Sequence, residues 1–413
     1  MTLDEAVKIA LQRNPDLQKQ ILLSLSAEQD LVIARSAILP RVDFNGSLSR
    51  TRTAGSLFLQ GVPVAGQQSV SFNTTYSANL RVQQLIFDGG KWWNNLAASD
   101  LGLQAGHAQV DEQRLQITYL VEQRFYELVR AQRQLTVLAD AAARSRDQAD
   151  YTQRLFEGGR ATQADVYAAR ANRDNDEVTR LGQERNVELA RADLAVAVGV
   201  DPADPLAVAE PPNLMAEPVA PPPPQDAVAR ALQQRPSLKA FALTADQNRK
   251  LASAAKGDYW PQVSLEASWN RNANTLDTYV SNPSTDSQLS GGIVLNWNLF
   301  NGLNTKATVE RANIQTALAE TDLASGRRNV ASDVQKAVAQ LATARQQARV
   351  AQQAEQTAKE GLRLAKTRQE VGVGTQLEVR DAELKLTQAQ LNVVGSLVDG
   401  REAEAALRRA QGG

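Results

Sequence analysis

The sequence predicts a mainly α chain with a β portion of four strands, built as a tandem duplication. Three observations carry this: an ordered set of motifs that occurs twice, two very long helical stretches without proline, and four segments with a two-residue period. The first motif, "DEAVKIALQRNPDL" at 4–17, returns as "DAVARALQQRPSL" at 226–238, so that Ala6, Ala10, Pro15 and Leu17 recur as Ala227, Ala231, Pro236 and Leu238. The same spacing carries Pro40 onto Pro261 and Val42 onto Val263. From Phe87 onward a shorter spacing holds, taking Phe87 and Gly89 to Phe300 and Gly302, and Thr162, Asp165 and Val166 to Thr375, Glu378 and Val379. The difference in length between the halves therefore lies between Val42 and Phe87. The first repeat covers 1–200 and the second 225–413, with a linker at 201–224 whose nine prolines exclude regular helix or central strand. It reads as a polyproline-like strap.

Composition narrows the function classes. In 413 residues, 45 basic and 46 acidic side chains nearly cancel, so no global field favours nucleic acid. With no cysteine, the chain has no disulfide, thiolate metal site or cysteine nucleophile. No apolar run is long enough for a transmembrane helix, and "TLDEAVKIAL" directly after Met1 lacks a signal-peptide core, which suggests a cytosolic chain or a mature form with a replaced start. Enzyme signatures are also missing: there is no glycine-rich phosphate loop, metalloprotease motif or nucleophile elbow, and the single histidine, His107, lies in a long helix as a packing or surface residue.

Helices are expected at about 16–39 and 237–259, before the first strand of each half. Strands follow at about 41–53, 70–87, 262–274 and 288–300, each with one apolar and one polar face; in the second, Val70, Phe72, Tyr76, Leu80 and Val82 alternate with Ser71, Asn73, Thr75, Asn79 and Arg81. Alternation over about ten residues beside aromatics is the signature of membrane strands; a small soluble sandwich is the competing reading. All five tryptophans (Trp92, Trp93, Trp260, Trp269, Trp297) lie in or beside these strands, as an aromatic belt at a bilayer interface requires. Four strands cannot close a barrel, so strands in hydrocarbon must be pooled between copies.

The long helices follow, from Lys91 to Phe156 and from Asn304 to Glu370, each spanning about 100 Å. Val121, Leu128, Leu135, Ala142, Ala149 and Phe156 mark a heptad stripe in the first, and Leu323, Val330, Ala337, Ala344, Ala351, Ala358 and Ala365 one in the second, which argues coiled-coil packing. Return helices at about 162–199 and 376–410 are reached through "FEGGRAT" and "EVGVGT", where glycine ends one helix and Thr162 or Thr375 caps the next.

"LDEAVKIALQRNP", "LPRVDFNGSLSR", "LIFDGG", "LNLFNGL" and "GVGTQLEV", in this order across both halves, resemble the TolC family of outer-membrane efflux proteins, over essentially the whole chain. The resemblance implies a homotrimer in which a twelve-stranded transmembrane β-barrel is continuous with a twelve-helix α-barrel in the periplasm. It implies an outer-membrane location, no cofactor, and partners in a periplasmic adaptor and an inner-membrane transporter of the RND, ABC or MFS type. It also implies a gate where the helical tips coil inward, with Asp165, Glu378 and Asp381 at the constriction; three solvated surface acids are the plain alternative. The tip residues Gly158, Gly159, Thr162, Val371, Gly372, Val373 and Thr375 match the adaptor-contacting motif, although turn chemistry accounts for them equally well. Where family members place a tyrosine and an arginine in the tip lock, this chain has Gln369 and Gly374, so closure falls to other contacts such as Arg363, Lys366 or Arg368. The competing function is an elongated coiled-coil structural or adhesin-like protein with a small β-head.

Overall fold

The computed structural model describes residues 1–59, 62–203, 206–281 and 287–413. In chain order the elements are α1 (Leu3–Arg13), α2 (Pro15–Ser36), β1 (Arg41–Leu59), β2 (Val62–Phe87), α3 (Lys91–Glu157), α4 (Gln163–Val198), α5 (Pro224–Gln234), α6 (Pro236–Lys256), β3 (Gln262–Ala273), α7 (Leu276–Ser281), β4 (Ser287–Asn296), α8 (Asn304–Glu370) and α9 (Gln376–Gln411). They divide into two compact units, one of 1–25, 105–242 and 321–413, the other of 26–104 and 243–320.

The first unit is helical. Its larger core gathers Leu17 of α2, Ile117, Val121, Phe125 and Leu128 of α3, Leu194 and Val198 of α4, and Leu214 of the strap. A second core joins Ala227 and Ala231 of α5 to Val334, Ala337 and Leu341 of α8 and Leu407 of α9. Seam positions Val121, Leu128, Ala142 and Ala149 are buried, as are Val330, Ala337 and Ala344, and alanine at this spacing lets helix axes approach closely.

Prolines at 15 and 236 start α2 and α6, each splitting off a short helix before it, because a proline lacks the N–H that a continuing helix needs. The two corners are built alike. In the first half Asn14 Nδ2 donates to the Ala197 carbonyl at 3.0 Å. In the second half the counterpart of Asn14 is Arg235, whose Nη1 donates at 3.2 Å to the carbonyl of Ala410, the counterpart of Ala197. Gly199 and Gly412, left-handed caps of α4 and α9 at φ 80° and 97°, let the corner backbones of Arg13–Asn14 and Gln234–Arg235 lie within about 3 Å of where a Cβ would sit. The second corner adds an ion pair between Arg235 and Glu112 at 2.8 Å with side chains 6% and 11% exposed.

The strap is held by buried Arg401 of α9, whose guanidinium donates to the carbonyls of Asn213 and Ala216, while Glu404 accepts from the Val219 N–H at 2.8 Å. Gly400 faces Pro218 so closely that a Cβ would overlap its ring. Glu217 pairs with Arg345 and Arg349 at 2.6 Å each.

The second unit holds one antiparallel sheet in the order β1-β2-β3-β4. Its two hairpins share one register: Val42, Phe44 and Leu48 face Val82, Leu80 and Tyr76, and the corresponding Val263, Leu265 and Trp269 face Leu295, Ile293 and Leu289. Even the cross-strand Ser47–Ser77 hydrogen bond (2.6 Å) has its counterpart in Ser268–Ser290 (2.9 Å).

The strand region differs from the sequence expectation in three places. β1 and β2 continue toward each other beyond 53 and before 70, with the ladder accommodating Pro63 beside an irregularity at Ser56/Phe58, where the loss of one donor is tolerated. β4 stops at Asn296, opposite Gln262, because the residue before Gln262 is Pro261, which donates nothing to a ladder. The short α7 was not legible, since six residues are too few to show a period.

Candidate functional site

Each helical hairpin turns through a glycine with positive φ, Gly159 at 72° and Gly372 at 81°. At the first tip Gly158 N–H donates to Arg154 O and Arg160 N–H to Leu155 O; at the second, both Val373 and Gly374 donate to Arg368 O, at 3.0 and 2.9 Å. Gly374 lies so near Gln369 N and Arg368 that a Cβ would come within 2.8–2.9 Å of them, so this backbone cannot carry a larger residue at 374 without rebuilding the turn. Thr162 and Thr375 cap α4 and α9 through their hydroxyls. Val371, Val373 and Leu377 are exposed.

The three candidate gate acids do not converge within one chain. Glu378 and Asp381 share a face of α9 and line one groove between α8 and α9, of about 970 Å³, with Ala358, Gly361, Leu364 and Ala382 as its floor. Each has a basic neighbour: Arg368 Nε approaches Glu378 at 3.5 Å, and Lys385 Nζ meets Asp381 at 2.6 Å. Asp165 lines a different, smaller cavity of about 180 Å³ between α3, α4 and α9. There its carboxylate accepts from the Thr162 hydroxyl (2.7 Å) and N–H (2.9 Å), and these bonds hold it below the ordinary aspartate range. Of the basic candidates for closure, Arg368 reaches Glu378, a candidate gate acid, whereas Arg363 pairs with Glu360 on its own helix at 2.6 Å. The charge of Lys366 acts on the buried Glu383.

A cluster that sequence reasoning missed ties the two hairpins together beside Asp165. Arg380 of α9 grips Asp176 of α4 with two bonds, 2.7 and 2.9 Å, both side chains being less than one-fifth exposed. Burial opposes ionisation of Asp176, yet hydrogen bonds from Arg380 and Ser145 and the charges of Arg380 and Arg144 outweigh it and keep the carboxyl below its ordinary value. Gln376 bonds Thr152 of α3, and Arg144 Nη2 donates to Thr387 at 3.0 Å. Glu383 is buried at the centre with Oε1 unpartnered, and burial raises its pKa. The available signal was asymmetry: the position of Tyr167 in the first half is held by Arg380 in the second, and that of Asp176 by Ala389, so this ion pair breaks the repeat.

At the sheet, Val42, Phe44, Leu48, Phe72, Leu80, Leu289, Ile293 and Leu295 are all exposed on one face. Full burial of each such side chain is worth roughly 1.5–3 kcal/mol, so a face this apolar demands a cover. The opposite face carries the serine pairs and Asn79 hydrogen-bonded to Asn270. Of the candidate interface aromatics, Trp93, Trp260 and Trp297 are exposed and Trp269 is half-buried within β3. Trp92 is turned inward, 8% exposed, with Nε1 donating to Ala34 O at 2.8 Å; the neighbouring positions 92 and 93 lie on different sides of α3, so only one can face outward. His107 meets the Ser24 hydroxyl at 3.2 Å in the α2–α3 contact.

Comparison with known proteins agrees with this architecture. Among curated proteins, the chain is 24% identical over 398 residues to outer membrane protein TolC of Vibrio cholerae, covering 95% of this chain and 87% of that one. It is 24% identical over 389 residues to the outer membrane efflux protein BepC of Brucella suis, covering 93% and 79%. Among solved structures it superposes on the CmeC outer membrane channel of Campylobacter jejuni with a TM-score of 0.82 at 20% identity, covering 99% and 85% of the two chains. On VceC of Vibrio cholerae the TM-score is 0.81 at 20% identity, with 100% and 96% covered. The family model described as outer membrane efflux protein matches residues 6–200 and again 227–413. The chain belongs to the outer membrane efflux protein family.

Proposed function

We propose that this chain is the exit duct of a tripartite efflux or type I secretion system, a passive conduit that opens and closes at its helical tips. The observation that carries the reading is the four-stranded sheet with one largely apolar face, one polar face and two open edges. Such a sheet suits hydrocarbon on one side and water on the other, but only once several copies close it. Family channels work as trimers with adaptor and inner-membrane transporter proteins, and three copies would supply twelve strands, enough for an open lumen.

In this reading the exposed apolar residues at the tips, Val371, Val373 and Leu377, are what an adaptor covers. Three copies of Glu378 and Asp381 ring the entrance, where their charge attracts cations and repels anions. Arg368 and Lys385 temper that charge in the isolated chain, and pulling them away exposes it.

The test is current through the purified protein in planar bilayers. Cation-over-anion preference, read from the reversal potential in a salt gradient, should fall in the double variant Glu378→Gln/Asp381→Asn. Unchanged selectivity with normal conductance would remove these acids from the constriction. Photocrosslinking from Val373 in cells should trap a periplasmic partner; a partner trapped only from the β-sheet end would contradict docking at the tips.

A further inference from the structure

The joint between the two helical hairpins contains a carboxyl that the Asp176–Arg380 link does not use. Glu383 of α9 is 4% exposed, and its Oε1 has no hydrogen-bond partner among the described residues. It borders the cavity of about 180 Å³ together with Ser145 and Gln148 of α3, Asp165 and Asn172 of α4, and Arg380 of α9. Two donors on α3, Gln148 Nε2 and Arg144 Nε, are likewise buried and unpartnered. A buried polar atom left unpaired is costly, and a charged one far more so, which makes the protonation state of Glu383 decisive for how well this joint closes. The cluster lies outside the repeated pattern: the positions equivalent to Arg144, Gln148, Asp176, Arg380 and Glu383 are held by Thr357, Gly361, Ala389, Tyr167 and Arg170. Where Glu383 is buried, Arg170 is exposed.

The charges around Glu383 come from each element that meets it: Arg144 of α3, Asp165 and Asp176 of α4, Lys366 of α8 and Arg380 of α9. Several are already engaged. Arg380 holds Asp176 at 2.7 and 2.9 Å, Asp165 accepts from Thr162, and Arg144 Nη2 donates to Thr387 at 3.0 Å. Burial dominates at Glu383 and pushes its pKa up against the charges of Lys366, Arg144 and Arg380. At Asp176 burial acts in the same sense but is outweighed by the hydrogen bonds from Arg380 and Ser145, which hold the carboxyl low. Two acids in one joint are thus driven apart in their affinity for a proton.

We propose that Glu383 is a proton-operated catch between the hairpins: with its carboxyl neutral, α9 stays seated against α3 and α4, and ionisation unseats it. Loss of the proton puts a second negative charge beside Asp176 on an oxygen without a donor, and movement of α9 lets water reach it. Because the proton is held more tightly in the seated joint, the contribution of Glu383 to seating is full below the ordinary glutamate range and is lost as pH rises through the raised value. Asp176 works in the opposite sense, its contribution being present above the ordinary aspartate range and lost as pH falls through the lowered value. The seated joint is therefore confined to mildly acidic pH, and Glu383 sets the alkaline limit.

Ala169 of α4 borders the same cavity and is 7% exposed, so a thiol placed there is reached only when the joint opens. The chain has no cysteine, and Ala169→Cys in detergent-extracted full chain therefore gives one labelling rate, measured with a charged methanethiosulfonate between about pH 5 and 8.5. Dividing it by the rate in Ala169→Cys/Glu383→Gln removes the ionisation of the thiol itself. The ratio should rise about tenfold across the range, since one unit of difference in proton affinity between the two joint states is a factor of ten. A flat ratio overturns the catch and means that Arg144 and Gln148 turn to meet the carboxylate inside a closed joint. Glu383→Asp, which keeps a titratable group, should retain the rise; loss of the response in both variants alike would leave Glu383 a packing role only. Glu402→Gln, toward the other end of α9, should leave the profile unchanged, and a flattened profile there would move the response away from Glu383. The consequence for current rests on the exit-duct reading: bilayer conductance should climb over the same pH span and stay level in Glu383→Gln. Labelling that follows pH while conductance does not would keep the catch and count against gating at the tips.

Discussion

At residue 303 the duplication left a mismatch between backbone and side chain. The counterpart of Gly90, at φ 82°, is Leu303, at φ 71°, the one non-glycine with positive φ among the described residues. A left-handed conformation costs an L-residue roughly 1–2 kcal/mol, and the exposed Leu303 side chain regains little of it. Leu303→Gly is therefore expected to stabilise the chain by about 0.5–1 kcal/mol after the extra entropy of glycine, seen as a raised melting temperature; a lowered one would mean that Leu303 is covered in the assembly. Gly89 is the opposite case. A Cβ there would sit 2.6 Å from the Gly257 carbonyl and 2.8 Å from Trp260 Cβ, in a backbone that already has positive φ. Gly89→Ala should cost several kcal/mol, on the order of 3 or more, and reduce recovered folded protein, whereas Gly302→Ala, with nothing within 4 Å, should cost about 1 kcal/mol.

Glu402 gives a residue-scale pH effect. Burial, opposed by the charge of Arg130 and reinforced by Asp399, raises its pKa to about 7, while Arg130 Nη2 bridges both acids at 2.7 and 3.0 Å. Because the folded-state value is raised, its favourable contribution is full below the unfolded glutamate range and is lost as pH rises through about 7. Glu402→Gln should flatten the fall in melting temperature between roughly pH 4.5 and 7; an unaltered profile would show that Arg130 already neutralises the pair.

Among the elements, the long helices were the most legible because nothing but period and the absence of proline was needed to see them: the stretches 91–156 and 304–370 emerge as α3 and α8. The strand faces were equally plain, since alternation at Val42, Phe44 and Leu48 encodes which side is apolar. Strand ends were not, for two physical reasons. Pro63 lies in a stretch that reads as a loop although β1 and β2 pair there at Phe58↔Pro63, and the apolar residues after Asn296 read as strand although the ladder ends where Pro261 precedes Gln262. The candidate gate acids could be named from the sequence, but their separation into two grooves depends on the three-dimensional placement of α9.

The Asp176–Arg380 link belongs to this scale because it fastens one hairpin to the other. Removing either partner should cost between roughly 1 and 3 kcal/mol, between the values for exposed and buried pairs, and loosen α9. Asp176→Ala is expected to raise the time-averaged bilayer conductance, and Asp176→Ala/Arg380→Ala to do no more than either single change. Strict additivity of the two would mean the pair is not coupled.

For the whole molecule, the repeat is the organising fact. Each half folds into the same helix corner, strand hairpin and helical hairpin, and the pairing of β2 with β3 that joins the halves in the sheet leaves β1 and β4 as its open edges. An apolar sheet face, a polar sheet face and two open edges together mean that a single chain in water is incomplete. The competing picture of a coiled-coil stalk with a soluble β-head would bury that face within the chain, and Phe44, Leu289 and Ile293 are instead exposed.

The most direct measurement is conductance of the purified full chain in a planar lipid bilayer, with its mass in detergent determined on the same sample. A trimer that inserts and carries discrete, cation-preferring current steps is the predicted result; a monomer that stays soluble without detergent and leaves the bilayer silent would contradict the account.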